Sequence, residues 1–436
     1  MSLPTIEVLV GFQTTTGFGN PFQLDNPTFG LLDTGTLGGL AFADLSSISQ
    51  SITISRGRSR QLDQFNAGSA TVSFDNTSRI LDPLNTDSVY YPFVLPRCPI
   101  ILKANGIAIF TGVVTDWNLD YDISGKDMMV AQCSDSFTIF ANQALNELIP
   151  AEESSSARVN TILNLPEIAY QGGRSISTGS STLGPFDIAQ DTNCLNYLQQ
   201  VTKSEQGFLF IAADGTLTFK GRSSALNPLA DANFTDDGTG ISYMALTNEF
   251  GDELLHNFIV AQSFEAGDEQ IASDATSIAL YQNQQLSITD LLNLTETEVA
   301  DIANYLLGRF RNPVLRFNGL STQLIGLSEA DQNTYLSLEL TDICSVTKSF
   351  AVGTPSTITQ TLIVSGVNHT ISPSSHTIGF TFESTDGNQY LFLDDPNFGA
   401  LGGSGITYEQ PEIQYNETGW IYNDSNADDT GNRLGW

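Results

Sequence analysis

The side chains that most often carry enzyme chemistry are few in this sequence. It contains three histidines, His256, His369 and His376, and none lies in the HExxH motif of a zinc peptidase. The GxSxG nucleophile elbow and the Walker phosphate loop are missing as well. His369 and His376 are seven residues apart with Pro373 between them, which predicts side chains on opposite faces of a sheet. We expect His369 to be a hydrogen-bonded strand residue, and we predict no catalytic, cofactor-binding or metal-binding residue.

The other candidate metal ligands are a short acidic pattern and the cysteines. Asp424, Asn426 and Asp428 alternate as in a calcium loop, but the glycine and the closing glutamate of such a loop are absent. A solvated acidic tail is therefore expected there. The cysteines at 98, 133, 194 and 344 show no CxxC spacing and lie among apolar residues. They are expected to be small buried side chains in a protein made in a reducing cytosol.

The charge balance is strongly acidic, with 17 Lys and Arg against 49 Asp and Glu and a net charge of -32. Stable binding to DNA needs cations that displace the counterions of the phosphates, so this balance argues against it. An acidic surface instead lets DNA pass without adhering, or simply keeps an abundant subunit soluble. No secretory signal is visible at residues 1–11, and no apolar run reaches the length of a membrane helix, about 18 residues. We expect no stable membrane insertion.

One short stretch concentrates positive charge against this background. Residues 52–83 read ITISRGRSRQLDQFNAGSATVSFDNTSRILDP and contain Arg56, Arg58 and Arg60. Residues 51–55 alternate between polar and apolar, and Ala70, Val72 and Phe74 do so further on. This period of two predicts two half-buried strands on either side of a short basic loop.

The stretch resembles the N-terminal barrel of phage minor tail proteins of the tail-tip (baseplate) hub family of long-tailed phages. The likeness rests on the RGR string, on Gly68 in the AG pair, on Asp75-Asn76 and on the closing Asp-Pro. Later strings resemble the same family in the same order: ANYLLGRFRNPVLRF, LELTDICSV and VSGVNHTI. The resemblance covers roughly residues 40–385.

The resemblance implies a mainly β fold with α+β insertions. Two tube-type β-barrel domains are expected at 40–145 and 245–388, the second with one helix. A peripheral α/β domain is expected between them, at 150–240. Residues 1–39 are expected to form an N-terminal arm, and residues 389–436 a C-terminal extension.

Residue patterns predict local elements independently of the family. Asn105-Gly106 predicts a tight turn between two apolar strands. A short helix is predicted at 154–163. A stronger one is predicted at 193–206, with Gly207 as its C-terminal stop and a hairpin turning at 214–215 directly after it.

A further helix is predicted from Thr295 to Arg311. Thr295 and Glu298 match the capping box, and the helix must end before Pro313. Its apolar stripe is expected to pack onto the second barrel and consists of Val299, Ile302, Ala303, Leu306 and Phe310.

The resemblance also implies the function. The chain is expected to be a structural virion protein without enzyme activity, a homotrimeric ring that caps or continues the tail tube and forms part of the DNA ejection channel. It would be assembled in the bacterial host cytoplasm and located at the tail tip. Its expected partners are further copies of itself, the distal tail protein, the tail tube, tail fibre or tip proteins and the tape measure protein. DNA would pass through the lumen without specific binding, so the Arg56–Arg60 loop is expected to pair with carboxylates of a neighbouring subunit.

Three other functions have to be weighed. A distal tail ring protein shares the barrel but is typically hexameric and uses one barrel for the tube, whereas two barrel-like segments favour the trimer. A receptor-binding tail-tip protein would need aromatic residues exposed on one face, and Trp117, Trp420 and Trp436 are scattered. A cell-wall glycosidase would need two acids in a domain of its own, and the hub-like segments leave no room for one.

Overall fold

The computed structural model describes residues 2–13, 40–222, 230–264 and 267–385. The chain divides at Thr385 into two units, and the second, Asp386–Trp436, lies outside the described residues. The predicted C-terminal extension, the acidic pattern at 424–428 and residues 14–39 of the predicted arm therefore lie outside them as well.

The described part of the chain is mainly β, as predicted. Its first strands are β1 (Ile6–Gln13), β2 (Leu40–Asp44), β3 (Ser49–Gly57), β4 (Asn66–Asp75), β5 (Pro99–Ala104), β6 (Ile107–Asp120), β7 (Met128–Ser134), β8 (Ala144–Leu145), β9 (Glu153–Ser154), β10 (Arg174–Ile176), β11 (Thr182–Leu183) and β12 (Thr192–Asn193). The later strands are β13 (Phe208–Ile211), β14 (Leu217–Lys220), β15 (Ala232–Thr235), β16 (Ala245–Glu249), β17 (Phe258–Ser263), β18 (Gln270–Ser273), β19 (Gln285–Leu291), β20 (Arg316–Gln323), β21 (Ile343–Ser349), β22 (Thr357–Ser372) and β23 (Ser375–Ser384). The helices are α1 (Phe137–Ala141), α2 (Ser155–Asn164), α3 (Cys194–Glu205), α4 (Ala275–Tyr281), α5 (Glu296–Phe310) and α6 (Glu329–Ser337).

One large sheet dominates this part of the chain. Its order is β16-β20-β23-β22-β3-β4-β7-β6-β5-β1-β2, and β21 pairs with β22 on one side and β15 on the other. The strands expected in two separate barrels thus belong to one sheet, joined where β3 pairs antiparallel with β22 from Ile52↔Ile371 to Gly57↔Gly366. Within the described ranges the strand order is open, with β2 and β16 at its ends. Closure into barrels stays a prediction.

The alternation predicted for β3 and β4 is confirmed. Ile52 and Ile54 are buried on β3, and Ala70, Val72 and Phe74 are buried on β4. The period of two also extends to β1, which belongs to the range predicted as an arm. Its alternate apolar residues are buried and it pairs with β5, so this part of the range forms part of the sheet.

The tight turn predicted at Asn105-Gly106 and the helices predicted in the middle region, 150–240, are present. Asn105 and Gly106 have positive φ angles of 49° and 76° between β5 and β6. Helix α3 begins after Asn193, whose side chain accepts a hydrogen bond from the Asn196 N–H at 3.1 Å. It ends within the predicted range, but the left-handed stop is Gln206, one residue before the predicted Gly207. Glycine is required at 207 for a different reason, since a Cβ there would lie 2.5 Å from the Lys220 carbonyl oxygen.

Helix α5 buries its predicted stripe, on strands that lie within the range predicted for the second barrel. The stripe packs against a separate three-stranded sheet, β18-β17-β19, and the two share their own apolar cluster. The Thr295 hydroxyl accepts a hydrogen bond from the Glu298 N–H at 3.3 Å, as the capping box requires. The Glu298 carboxylate does not return to Thr295 and instead accepts from the Thr182 N–H at 3.1 Å. The capping box is therefore half formed, because its acid ties α5 to the middle region.

The predicted single helix of residues 245–388 is accompanied by two shorter ones. Asp274 caps α4, accepting from the Ser277 N–H at 2.9 Å, and Ser328 caps α6, accepting from the Asp331 N–H at 3.1 Å. Neither carries an apolar stripe like that of α5, so periodicity does not reveal them. In the described ranges no helix is long and apolar enough to cross a membrane.

Candidate functional site: the arginine seam

The basic cluster lies at the junction of the large sheet and not on an exposed loop. Arg56 and Gly57 end β3, and Arg58 follows directly. We call this region the seam: residues 56–58 together with Glu339 and the groups of β22, β23 and the β13–β14 hairpin that contact them. The seam is the place where the three regions predicted as domains meet.

The backbone at the seam allows no side chain at residue 57. Strand β22 bulges between Val364 and Gly366, and the Ser365 carbonyl accepts a hydrogen bond from the Arg58 N–H at 2.8 Å. Gly57 has a φ of 103°, and a Cβ there would lie 2.2 Å from that same carbonyl oxygen. Before the bulge β22 pairs with β21, and after it with β3. Glycine therefore lets β3 end against the bulge.

Arg56 joins the first half of the sheet to the other two regions. Its guanidinium is buried, forms an ion pair with Glu339 and donates to the Ile211 carbonyl at 3.1 Å. The Glu339 carboxylate also accepts from the N–H groups of Ala213 and Leu340, both at 2.7 Å. Both charges are hydrogen-bonded on several sides, which offsets the cost of burying Arg56 beside a partly exposed Glu339.

Arg58 makes the second link across the seam. Its Nε and Nη2 atoms donate to the two carboxylate oxygens of Glu383 at 2.6 and 2.7 Å, the bidentate geometry that suits arginine. Its guanidinium also lies over the rings of Phe65 and Phe208, at 4.8 and 5.5 Å from their centroids. Glu383 belongs to β23 and Phe208 to β13, so Arg58 also contacts all three regions.

A buried acid explains the glycine of the AG pair. Asp135 accepts hydrogen bonds from the N–H groups of Gly68 at 2.6 Å and Phe137 at 2.9 Å. A Cβ at residue 68 would lie 2.7 Å from the Asp135 carboxylate. Burial raises the pKa of Asp135 to about 6, although both hydrogen bonds and the charge of Arg56 lower it. Lack of a side chain at Gly68 is what admits the carboxylate.

The prediction that the basic loop pairs with a neighbouring subunit is wrong for its arginines. Arg56 and Arg58 pair with Glu339 and Glu383, and Arg60 forms a more exposed pair with Glu253 at 3.1 Å. All three acids belong to the same chain. Their distance in sequence is the physical reason that the pattern around residue 56 could not reveal them.

The rest of the family-like string shapes the chain after β4. The buried Asn76 side chain accepts from the Leu81 N–H at 2.9 Å. Arg79, with a positive φ of 55°, donates to Asp82 through Nε at 2.9 Å and Nη2 at 2.6 Å. These contacts stabilise the turn at residues 76–82, so this part of the family-like string has a structural role.

The middle region contains a buried carboxylate of its own. Glu205, at the end of α3, is fully buried and accepts from the N–H groups of Ser180 and Ser181 and from the Ser155 hydroxyl. Its oxygens are occupied by donors that hold α3 against the loop before β11. Glu205 therefore positions the backbone of Ser180 and Ser181, and its carboxylate is not accessible to solvent.

The two histidines predicted on opposite faces are in contact. His369 Nδ1 lies 3.1 Å from His376 Nε2, and both rings are buried. The prediction was wrong because β22 and β23 form a hairpin with the pairs His369↔Ile378 and Ile371↔His376, which puts the two rings on one face. Burial lowers the pKa of His376 to about 4. Burial, and after it His376 and Arg56, lower that of His369 well below its usual value.

The cysteines are free and buried, as predicted. Burial raises the pKa of Cys133 and of Cys194 to about 12, so these thiols stay protonated and poorly nucleophilic. In the part of the chain that the structure describes, no three side chains of His, Cys, Asp or Glu converge as metal ligands would.

Replacing Gly57 by alanine tests the seam. We expect Gly57→Ala to lower the free energy of unfolding by on the order of 3 kcal/mol, because the residue has a positive φ and its Cβ would meet backbone. Gly308→Ala is the matched control, since Gly308 lies in α5 with open space around it. Alanine should stabilise that helix by about 0.5–1 kcal/mol. Denaturant titration measures both, and equal effects would contradict this account of the seam.

The histidine pair predicts acid sensitivity. Its pKa values are lowered in the folded state, so the unfolded chain takes up protons first as the pH falls below about 6.5. Stability should therefore decrease between pH 6.5 and 4, by up to about 1.4 kcal/mol per pH unit for one full proton. Urea titrations at several pH values in this range should show that the free energy of unfolding falls less steeply with decreasing pH in His376→Gln than in the unchanged protein.

Asp135→Asn is the control for the histidine experiment. The raised pKa of Asp135 means that the folded state binds its proton first, so this group adds stability as the pH falls through about 6. Its removal should make the acid-side slope steeper, opposite in sign to His376→Gln. The same slope in both variants would exclude this assignment.

The comparisons with known proteins divide into sequence and structure. No family model and no curated protein matches the sequence. The structure is similar to the crystal structure of the tail protein from Neisseria meningitidis MC58, with a TM-score of 0.57 and 11% identity over 88% of this chain and 98% of that one. It is also similar to the 43 kDa tail protein of prophage MuSo2 from Shewanella oneidensis, with a TM-score of 0.54 and 11% identity over 87% and 98% of the two chains. The chain therefore has the fold of phage tail proteins, as the sequence resemblance indicated.

Proposed function

We propose that this chain is a structural protein of the phage tail tip, a hub whose three copies form a ring that caps or continues the tail tube. The observation that carries the proposal is the pairing of β3 with β22, which joins two β segments of one chain into a single sheet. The shared fold with tail proteins over nearly their whole length supports it.

Two β segments in one chain support a threefold ring. In the hub family the tube is built from rings of six, whereas a tip that narrows to a point or a fibre commonly has threefold symmetry. Three chains with two tube-type barrels each would present six equivalent segments to the tube. Closed rotational symmetry then requires head-to-tail contacts between the second segment of one subunit and the first of the next.

The acidic surface suits a wall that DNA passes. With a net charge of -32 the chain repels phosphates, and the seam neutralises Arg56 and Arg58 internally. The expected partners are the distal tail protein, the tail tube, tip or fibre proteins and the tape measure protein. The protein would be located in the virion at the tail tip.

We also propose that the protein is not an enzyme. His369, His376, the four cysteines and the acids Asp135 and Glu205 are buried in structural contacts. A zymogram should show no clearing of peptidoglycan by the purified protein. Clearing that one Asp or Glu substitution abolishes would contradict this part of the proposal.

The oligomeric state tests the hub assignment. Native mass spectrometry of the purified full-length chain should give three times the chain mass of 47.1 kDa. Averaged particle images should show a threefold ring in which both β segments of each chain border the lumen. A sixfold ring would favour the distal tail ring protein instead, and a lumen lined by one segment would contradict the two-barrel arrangement.

A further inference from the structure

A cleft of about 220 Å³ opens beside the seam, and Arg58, Phe208 and Glu383 of the seam form part of its wall. Its walls come from the loop after β3, the C-terminal end of α3, strand β19 and helix α5. Three cations line it, Arg58, Lys203 and Arg309. The acid in its lining is Glu383, which Arg58 already neutralises through two hydrogen bonds.

Among the described residues, the hydrogen-bond acceptors of the other two cations are neutral. Lys203 Nζ donates to the Thr289 carbonyl at 2.8 Å. Arg309 donates to the Tyr305 hydroxyl at 2.9 Å and to the Ser384 carbonyl at 2.8 Å. Among the residues that the structure describes, neither cation has a carboxylate within salt-bridge distance.

Lys203 is partly buried, and it forms no ion pair with any residue that the structure describes. Burial lowers its pKa, and the charge of the nearby Asp290 offsets this only in part. A half-buried ammonium with spare donors gains more from an incoming carboxylate than an exposed one does, because less water has to be displaced. The cleft thus carries excess positive charge in a chain that is otherwise acidic.

The remaining lining is apolar and amide-rich. Leu62, Leu286 and Tyr305 are partly exposed in the cleft, and the side chains of Gln61 and Gln64 face it too. Aliphatic side chains can pack on the first group, and the amides can bond to a peptide backbone. A nucleic-acid strand would instead need a row of cations along its phosphates, and a cleft of this volume offers two.

We propose that this cleft binds a short acidic and aliphatic segment of a partner protein, whose carboxylates pair with Lys203 and Arg309. The charge complementarity is what selects the partner, since most of the surface of this chain would repel the same segment. The inference stands on the cleft alone and does not depend on the number of subunits in the ring.

The test uses the full-length protein and a labelled hexapeptide of alternating glutamate and leucine. Fluorescence anisotropy at low salt should show saturable binding of this peptide, and at least about tenfold weaker binding of the same peptide with glutamine in place of glutamate. Lys203→Gln and Arg309→Gln should each weaken binding of the glutamate peptide about tenfold. Lys126→Gln removes one charge from an exposed turn outside the cleft and should change binding less than about twofold.

The melting temperature of each variant shows whether weaker binding results from the lost charge or from a loss of folding. If Arg309→Gln lowers the melting temperature, Arg309→Lys takes its place; it retains the charge and should retain binding within a few-fold. Four results would overturn the proposal: no saturable binding, equal binding of both peptides, equal weakening by Lys126→Gln, or displacement of the peptide by a single-stranded oligonucleotide.

Discussion

Two largely buried ion pairs, Arg56–Glu339 and Arg58–Glu383, hold three regions of the chain in one body. Each pair spans a sheet junction and also contacts the β13–β14 hairpin. Burying two charges costs desolvation energy that their attraction only about offsets, whereas one charge left alone costs roughly 3–5 kcal/mol. The pairs therefore define how the regions meet more than they add to stability. The bulge in β22, Gly57 and Gly68 all serve this one geometry.

Much of the local structure could be predicted because its causes are local. The period of two in β3 and β4, the Asn105-Gly106 turn and the stripe of α5 each depend on residues within a few positions of one another. The family-like string is likewise defined by residue types at fixed spacing. Two of its glycines are required by the structure, because a backbone carbonyl lies close to Gly57 and a carboxylate lies close to Gly68.

The partners in the seam could not be predicted from such patterns. Glu339 is 283 residues from Arg56 in sequence, and Glu383 is 325 residues from Arg58. Periodicity describes which face of an element is buried, but not which distant element covers it. The same limit explains the error over His369 and His376: counting along one strand ignores the hairpin that returns the chain to the same face. For the same reason, the sequence did not reveal that α5 packs on β17–β19 or that the Glu298 carboxylate accepts a hydrogen bond from Thr182.

The position of β22 in the chain has a consequence for the order of folding during synthesis. Strand β3 is made early, but the edge that it presents to β22 has no partner until residues 366–371 have left the ribosome. The carboxylates for Arg56 and Arg58 are also made late, at 339 and 383. The nascent first half therefore carries an open strand edge and two uncompensated arginines, a state in which a sheet is prone to non-native pairing. Contacts of such long sequence separation make folding slow. The junction between β3 and β22 can therefore form completely only after synthesis has reached Glu383.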